Sequence, residues 1–178
     1  MRIFSLDESN PDYDIVNKIY QNTGYATNTG IELLMSQHIT KNWKLSASLN
    51  WYVNHIDHYT GTLLFPYVRP FSIEKSSDNA GDFKINNEIA LPANWTLQLT
   101  GLYYSEKNIP QGKQLSRSSI DAGLKKIVWE GHAEFTLSAS DIFNTFGLRQ
   151  KIVGEGFSAS YENYYETQII RAGFKYKF

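Results

Sequence analysis

The feature that most constrains this chain is a period-two alternation of apolar and polar residues. From Trp43 to Val53 the odd positions read Trp, Leu, Ala, Leu, Trp, Val, and the even positions are Lys44, Ser46, Ser48, Asn50 and Tyr52. A β-strand sends these two sets to opposite faces, whereas a helix would smear them around its circumference. The same alternation recurs five times. Phe83, Ile85, Ile89 and Leu91 oppose Lys84, Asn86 and Glu88; Leu97, Leu99, Gly101 and Tyr103 oppose Thr96, Gln98 and Thr100. Ile120, Ala122, Leu124 and Val128 oppose Asp121, Gly123 and Lys125; Ala133, Phe135, Leu137 and Ala139 oppose Glu134, Thr136, Ser138 and Ser140. Last, Ile170, Ala172, Phe174, Tyr176 and Phe178 oppose Arg171, Gly173, Lys175 and Lys177. Thr29 to Ile39 alternates less cleanly, with Leu34 on its polar side, and Met1 to Leu6 is too short to assign.

The connections between these stretches alternate in length. Thr40-Lys41-Asn42, Pro92-Ala93-Asn94 and Glu130-Gly131-His132 carry tight-turn chemistry. Between them the alternation fades over roughly Asp7 to Asn17, His55 to Asp78, Ser105 to Ser116 and Thr145 to Tyr164, which read as long links. Gly154-Glu155-Gly156 within the last of these reads as turn chemistry. The expectation is an all-β, antiparallel, up-and-down arrangement of about eight strands, with short turns at one end and long loops at the other. No linker divides residues 1–178, which read as a single β-barrel segment.

Composition narrows the solvent. No apolar run approaches the roughly 18 residues of a membrane helix, yet a mean hydropathy of −0.40 is compatible with barrel strands that alternate and average out. A net charge of −1 gives no basic footprint for nucleic acid, and the absence of cysteine removes disulfides and thiolate metal sites. The first residues carry no apolar signal region, so an export signal is expected either upstream, with the chain as part of a longer protein, or already removed.

Aromatic residues are 15% of the chain, and their placement is ordered. Trp43 and Trp95 each follow a tight turn and Trp129 precedes one, which puts three tryptophans at one end of the strands. Trp51, Tyr52, Tyr59, Tyr103, Tyr104, Phe143 and Phe146 gather toward the other end. Two aromatic belts one strand length apart match the girdles at the two interfaces of a membrane barrel. Trp43, Trp95, Trp129, Trp51 and Tyr103 are the girdle candidates. Period two alone does not say which face meets which solvent: a soluble barrel with an apolar interior carries the same alternation, inverted.

The C-terminal run Arg171-Ala172-Gly173-Phe174-Lys175-Tyr176-Lys177-Phe178 ends in Phe with aromatics two and four residues before it. It resembles the closing strand of outer-membrane barrels, a resemblance that makes Phe174, Tyr176 and Phe178 an assembly signal read by the barrel-assembly machinery. Three further stretches resemble the C-terminal barrel of TonB-dependent receptors, particularly those common in Bacteroidetes. Ile19-Tyr20-Gln21-Asn22-Thr23-Gly24 followed by Thr29-Gly30-Ile31-Glu32-Leu33 is similar to their Y-x-N … G-x-E-L strand. Ile120-Asp121-Ala122-Gly123-Leu124-Lys125-Lys126 resembles L-D-x-G-L-x-K, and Ser138-Ala139-Ser140-Asp141-Ile142-Phe143-Asn144-Thr145 resembles S-x-x-D-I-F-N-T. The resemblance covers nearly the whole chain and implies outer-membrane lipid around the wall, and a plug domain and TonB as partners through the intact receptor. It leaves no room for the plug in this chain, which then corresponds to roughly the last third of a barrel of about 22 strands. A self-contained small barrel with a structural or adhesive role, and a soluble ligand-binding barrel, are the alternatives.

No residues nominate a catalytic nucleophile, a phosphate loop or a cofactor, so neither enzyme chemistry nor a cofactor is expected. His55 and His58 flank Asp57, but His-Ile-Asp-His is not a ligand spacing that favours a metal over two solvated loop histidines. Ligand contacts of the intact receptor are expected in the loops, with Tyr59, Tyr67, Arg69, Arg149 and Tyr161 as candidates. Asp141 is in phase with the apolar set, so it is expected at the extracellular rim, re-aimed by a β-bulge near Ser140 and bonded, like Asn144, to turn backbone.

Overall fold

The computed structural model describes residues 1–7, 9 and 15–178. Residues 8 and 10–14, the middle of the first expected link, lie outside the described residues. Seven long strands form one antiparallel sheet: β3 (Ala26–Thr40), β4 (Trp43–Ile56), β7 (Ser76–Leu91), β8 (Trp95–Tyr104), β11 (Arg117–Val128), β12 (Ala133–Ser140) and β15 (Ile169–Tyr176). Each pairs with the next in that order, from β3 at one edge to β15 at the other. All of them come from the alternating stretches. The three tight turns join β3 to β4, β7 to β8 and β11 to β12 at one end of this wall, and positive φ at Ala93, Asn94, Trp129 and Glu130 gives two of them their sharpness.

Register carries the alternation across the sheet. Leu33, Leu49, Phe83 and Tyr103 form one row, and Leu97, Leu124, Leu137 and Ala172 another, on the same face. Glu32, Asn50, Asp82 and Tyr104 form a row on the opposite face, as do Ser46, Asn86, Thr100 and Asp121. The apolar face is bare: Leu33, Leu49, Phe83, Leu99, Tyr103, Ile120, Leu137 and Phe174 are all exposed among the described residues. A contiguous apolar face of this size is untenable in water.

Several expectations change in the structure. The wall has seven strands rather than about eight, because Met1 to Leu6 does not join it. Arg2–Asp7 (β1) pairs instead with Ile15–Tyr20 (β2) as a separate ribbon. Ile3 and Phe4, on opposite faces of β1, are both buried, so this strand is covered on two sides and has no lipid-type face. The long links are not irregular. His55 to Asp78 contains the hairpin β5 (Tyr59–Leu63) and β6 (Arg69–Ile73). Ser105 to Ser116 contains β9 (Lys107–Ile109) and β10 (Gly112–Gln114), and Thr145 to Tyr164 contains β13 (Leu148–Gly154) and β14 (Phe157–Asn163). These last four strands make one sheet in the order β14-β13-β10-β9, which fastens two sequence-distant links together. Gly154-Glu155-Gly156 is the turn of the β13–β14 hairpin, with Gly156 at φ 77. Wall strands run further into the links than their alternation, β7 starting at Ser76, because its pairing with β4 continues to Ile56.

The hairpins pack together as a crown at the loop end of the wall. Its core is Ile3, Ile56, Leu63 and Ile73, with Ile19, Tyr59 and Phe71 against it. Ile56 is the last residue of β4, so wall and crown share one apolar cluster. Gln111, in the β9–β10 turn, ties β1 to this assembly: its Oε1 accepts from the Phe4 N–H at 2.7 Å, and its Nε2 donates to the Phe4 carbonyl at 2.9 Å. One amide thus satisfies both backbone groups of a buried residue, which would otherwise be left unpaired.

Candidate functional site

The wall carries the girdle candidates at its two ends. Trp43, Trp95 and Trp129 lie at the turn end, Trp51 and Tyr103 toward the crown, and Trp43, Trp51, Trp95 and Tyr103 all belong to the apolar face. Eight residues separate Trp43 from Trp51 and Trp95 from Tyr103, which is about 26 Å along the strand. Strands tilted by about 40° bring that to about 20 Å, close to the ~25 Å apolar band of an outer-membrane barrel. Polar side chains on this face are served by the belt. The Trp43 indole donates to Asn87 Oδ1 at 3.1 Å, and Lys126 folds over the Trp95 ring at 5.0 Å to donate to the Ala93 carbonyl. That is a cation reaching back to the interface along its own aliphatic stem. Tyr52 and Tyr104, grouped with the far belt by sequence, instead lie on the polar face, because they fall one residue out of phase with Trp51 and Tyr103.

The C-terminal aromatics cluster at the turn end of the apolar face. The Phe174 ring centroid is 4.9 Å from that of Phe135, and Trp129 stands edge-on to both Phe174 and Tyr176. β15 ends at Tyr176 rather than Phe178, although the Lys177 N–H still donates to the His132 carbonyl and the Phe178 ring lies 5.1 Å from that of Tyr176.

At the opposite end, the crown leans over the polar face. Asn54 is buried at the crown end of β4, and its Nδ2 donates to Asp78 Oδ1 at 2.9 Å and to the Asn108 carbonyl at 3.0 Å. Asp78 Oδ2 in turn accepts from the Asn108 N–H at 2.9 Å. Asn54 and Asp78 share the polar phase of their strands, so this bridge pulls the β9–β10 hairpin inward across that face. Beneath the hairpin lies an open cleft of about 440 Å³ lined by Asn28, Glu32, Asn50, Tyr52, Asp82 and Lys107. Lys107 Nζ sits 5.8 Å from the Tyr52 ring centroid, over a wall position where Gly30 leaves room for the tyrosine; a Cβ on Gly30 would come within 2.5 Å of that of Tyr52.

Asp141 lies at the rim, as expected, but a left-handed turn rather than a bulge re-aims it: β12 stops at Ser140 and Asp141 adopts φ 45. Its side chain is fully enclosed. Oδ1 accepts from the Thr145 N–H at 3.0 Å, and Oδ2 from the Phe146 N–H at 3.2 Å and the Thr167 hydroxyl at 2.5 Å. Burial works to raise its pKa, but these three donors outweigh it and hold the carboxyl below its ordinary value of 3.8. The Asp141 N–H donates to Asp121 Oδ1 at 2.8 Å, which links the two sequence motifs that carry these aspartates. Asn144 bonds to the Tyr164 hydroxyl as well as closing the turn.

The five loop candidates do not converge. Tyr59 packs on the crown core, and Tyr161 lies between Phe4 and Lys18, whose Nζ is 4.8 Å from its ring centroid. Tyr67 is exposed and donates to Asp7 Oδ1 at 3.3 Å, Arg69 lies on β6, and Arg149 is exposed on β13 opposite Glu162. Asp7, held by the Ser9 hydroxyl and N–H and also by Asn17 and Tyr67, has its carboxyl below the ordinary range. Of the two expected loop histidines, His55 lies within β4 opposite Ser77, because that pairing runs on to Ile56, and the two have separate local partners, His55 with Asp57 and His58 with Thr60. Among the described residues no group of three or more His, Cys, Asp or Glu is placed to hold a metal ion. Gln111, Arg117 and Gln150, which shape the inner side of the crown, were not singled out by sequence. Gln111 bonds to Phe4, 107 residues away, Arg117 sits between the Tyr104 and Phe146 rings, and no periodicity marks any of the three. Asn54 and Asp78 had a signal, since the polar phase of β4 and β7 runs on to them.

Comparison with curated proteins and with solved structures returned no match. Residues 2–176 match the outer membrane protein beta-barrel family, a span that includes the whole wall and the whole crown. That assignment supplies the solvent which the bare apolar face requires. The chain belongs to the outer membrane protein beta-barrel family, and its place is the bacterial outer membrane.

Proposed function

We propose that this chain forms an arc of the wall, and the crown above it, of a TonB-dependent receptor that takes up a scarce nutrient. The observation that carries the reading is the direction of the two open edges. β3 runs from the crown to the turn end, and so does β15, since the seven strands alternate direction from one edge to the other. An antiparallel seam between codirectional strands is impossible, so this wall closes only with a parallel seam or with an odd number of added strands. Both edges leave rows of backbone N–H and C=O groups unpaired, and in lipid each such group costs several kcal/mol. Seven strands are about a third of a barrel of about 22, and the segments that resemble TonB-dependent receptors run in the same order along the chain. The self-contained small barrel lacks this support, and the soluble barrel is set aside by family membership.

In this reading the apolar face meets outer-membrane lipid and the polar face lines the lumen against a plug domain. The short turns face the periplasm, as is general in such barrels, and the crown faces outward to catch ligand. Phe174, Tyr176 and Phe178 serve the barrel-assembly machinery, and TonB drives release through the plug. The wall supplies position and no bond-making chemistry. The test is uptake of a limiting nutrient by cells that depend on this protein. Uptake is expected to stop when the proton-motive force is collapsed or TonB is removed; uptake that persists under both treatments contradicts the receptor reading.

A further inference from the structure

The inner side of the crown holds a second cleft, of about 430 Å³, between β1, the β9–β10 turn, the start of β11 and β13. Phe4, Pro110 and Leu148 give it apolar walls, and Arg2, Arg117 and Gln150 give it polar ones. Among the described residues no carboxylate lines it. Arg117 belongs to the polar phase of β11, opposite Tyr104, so the cleft overlooks the same face as the Tyr52–Lys107 cleft.

Two features set its polar walls apart. The Arg117 guanidinium is held between two rings, 5.0 Å from the Tyr104 centroid and 4.6 Å from that of Phe146. Ring contact fixes its plane but satisfies none of its N–H groups. It makes no hydrogen bond or ion pair with any described residue, and its Nε is buried without an acceptor. Across the cleft, Gln150 is 7% exposed and its Oε1 is buried without a donor. Arg2 adds a second guanidinium; it donates to the Tyr20 hydroxyl at 2.9 Å and has no carboxylate partner among the described residues. Buried polar groups left unpaired are costly, and a half-buried cation without an anion especially so.

We propose that this cleft binds a carboxylate-bearing ligand that carries a hydrogen-bond donor and an apolar group beside the carboxylate, the chemistry of an N-acylated amino acid or a peptide C-terminus. A planar carboxylate accepts two parallel bonds from a guanidinium fork, which a tetrahedral phosphate matches no better, and among the described residues no lysine lines the cleft. The donor answers Gln150, by a rotation of its amide at the cleft wall, and the apolar group answers Phe4 and Leu148. The assignment rests on the reading that the polar face lines the lumen below an outward-facing crown.

The experiment is calorimetric titration of the full chain, extracted from outer membranes in mild detergent, with N-acetyl-L-phenylalanine, with its neutral carboxamide and with inorganic phosphate. The carboxylate is expected to bind saturably, and the carboxamide and phosphate more than about tenfold more weakly, the carboxamide because a charge-assisted bond is lost and phosphate because it brings no apolar group to Phe4 and Leu148. Arg117→Gln and Arg117→Lys are each expected to weaken the carboxylate at least tenfold, the lysine because it lacks the fork. Gln150→Glu keeps the volume of the wall and sets a like charge in the cleft; its loss of binding guards against a variant at Arg117 that merely misfolds. No binding of N-acetyl-L-phenylalanine, equal binding of the carboxamide, tighter binding of phosphate, or undiminished binding in both Arg117→Gln and Gln150→Glu overturns the proposal. Carboxylate binding without energy-dependent uptake keeps the cleft and rejects the receptor; energy-dependent uptake with an unresponsive cleft does the reverse.

Discussion

Leu99 in the wall and Leu63 in the crown are both strand leucines in antiparallel pairs, yet the first is 38% exposed and the second 1%. The wall has no core. Across the middle of its apolar face the side chains stand in exposed rows, and it is held by backbone ladders and by the solvent that face selects. The crown is held as a small soluble domain is, by an apolar cluster around Ile3, Ile56, Leu63 and Ile73 and by buried side-chain bonds such as those of Gln111, Asn54 and Asp141. All four orphaned buried polar atoms found among the described residues, on Gln21, Thr23, Arg117 and Gln150, lie in or beside the crown. One chain thus carries two solvents' worth of folding rules, and the join falls near Ile56.

Substitutions that respect one set of rules and violate the other separate the two regions. Leu99 lies four residues from both Trp95 and Tyr103, at the middle of the band, and Gln98 is its neighbour on the other face. Leu99→Arg is expected to destabilise the folded protein in lipid by up to about 4 kcal/mol, whereas Gln98→Arg costs less than about 0.5 kcal/mol; equilibrium unfolding in bilayers reads both. Leu63→Ala leaves a cavity in the crown core and is expected to cost about 3 kcal/mol. That loss is confined to the crown, so hydrogen exchange should accelerate in β5, β6 and β1 and stay slow in β8 and β11. Asp141→Ala strands three donors at the rim and is expected to cost about 2 kcal/mol, visible as faster exchange of the Thr145 and Phe146 amides.

The smallest effect is one of pH. The folded-state pKa of Asp141 lies below its ordinary value, so its contribution is complete above pH 3.8 and is lost as pH falls through the depressed folded value. Acidification from pH 6 to pH 2 is therefore expected to loosen the rim turn before the wall. Asp141→Asn, which cannot titrate, should show a flatter pH dependence of Thr145 and Phe146 exchange.

The wall was legible in the sequence because each of its strands is buried by a different medium on each face, and that writes itself locally as period two. Trp43–Val53 and Ala133–Ala139 fall within strands of nearly those bounds. Even Leu34, out of place in the pattern, lies on the polar face opposite Ser48 as its phase dictates. The crown was not legible. β9 and β10 are three residues each, too short for any period, and β10 pairs with β13 some forty residues away. Where a strand is covered on both faces, as at Ile3 and Phe4, alternation vanishes, and the stretch is too short to assign from its pattern. The chemistry of the inner cleft was hidden for the same reason, since Arg117 and Gln150 acquire meaning only from rings and voids that distant segments bring to them.

The central claim, that the bare apolar face of the wall meets lipid and the polar face meets water, is tested most directly by spin labels at Leu99→Cys and Gln98→Cys in the protein reconstituted in bilayers. Collisions with oxygen and with a water-soluble nickel complex report the two solvents separately. The account predicts that the label at position 99 collides with oxygen and is shielded from nickel, and that the label at position 98 shows the opposite. Equal nickel access at both positions, or an inverted pair, would contradict it.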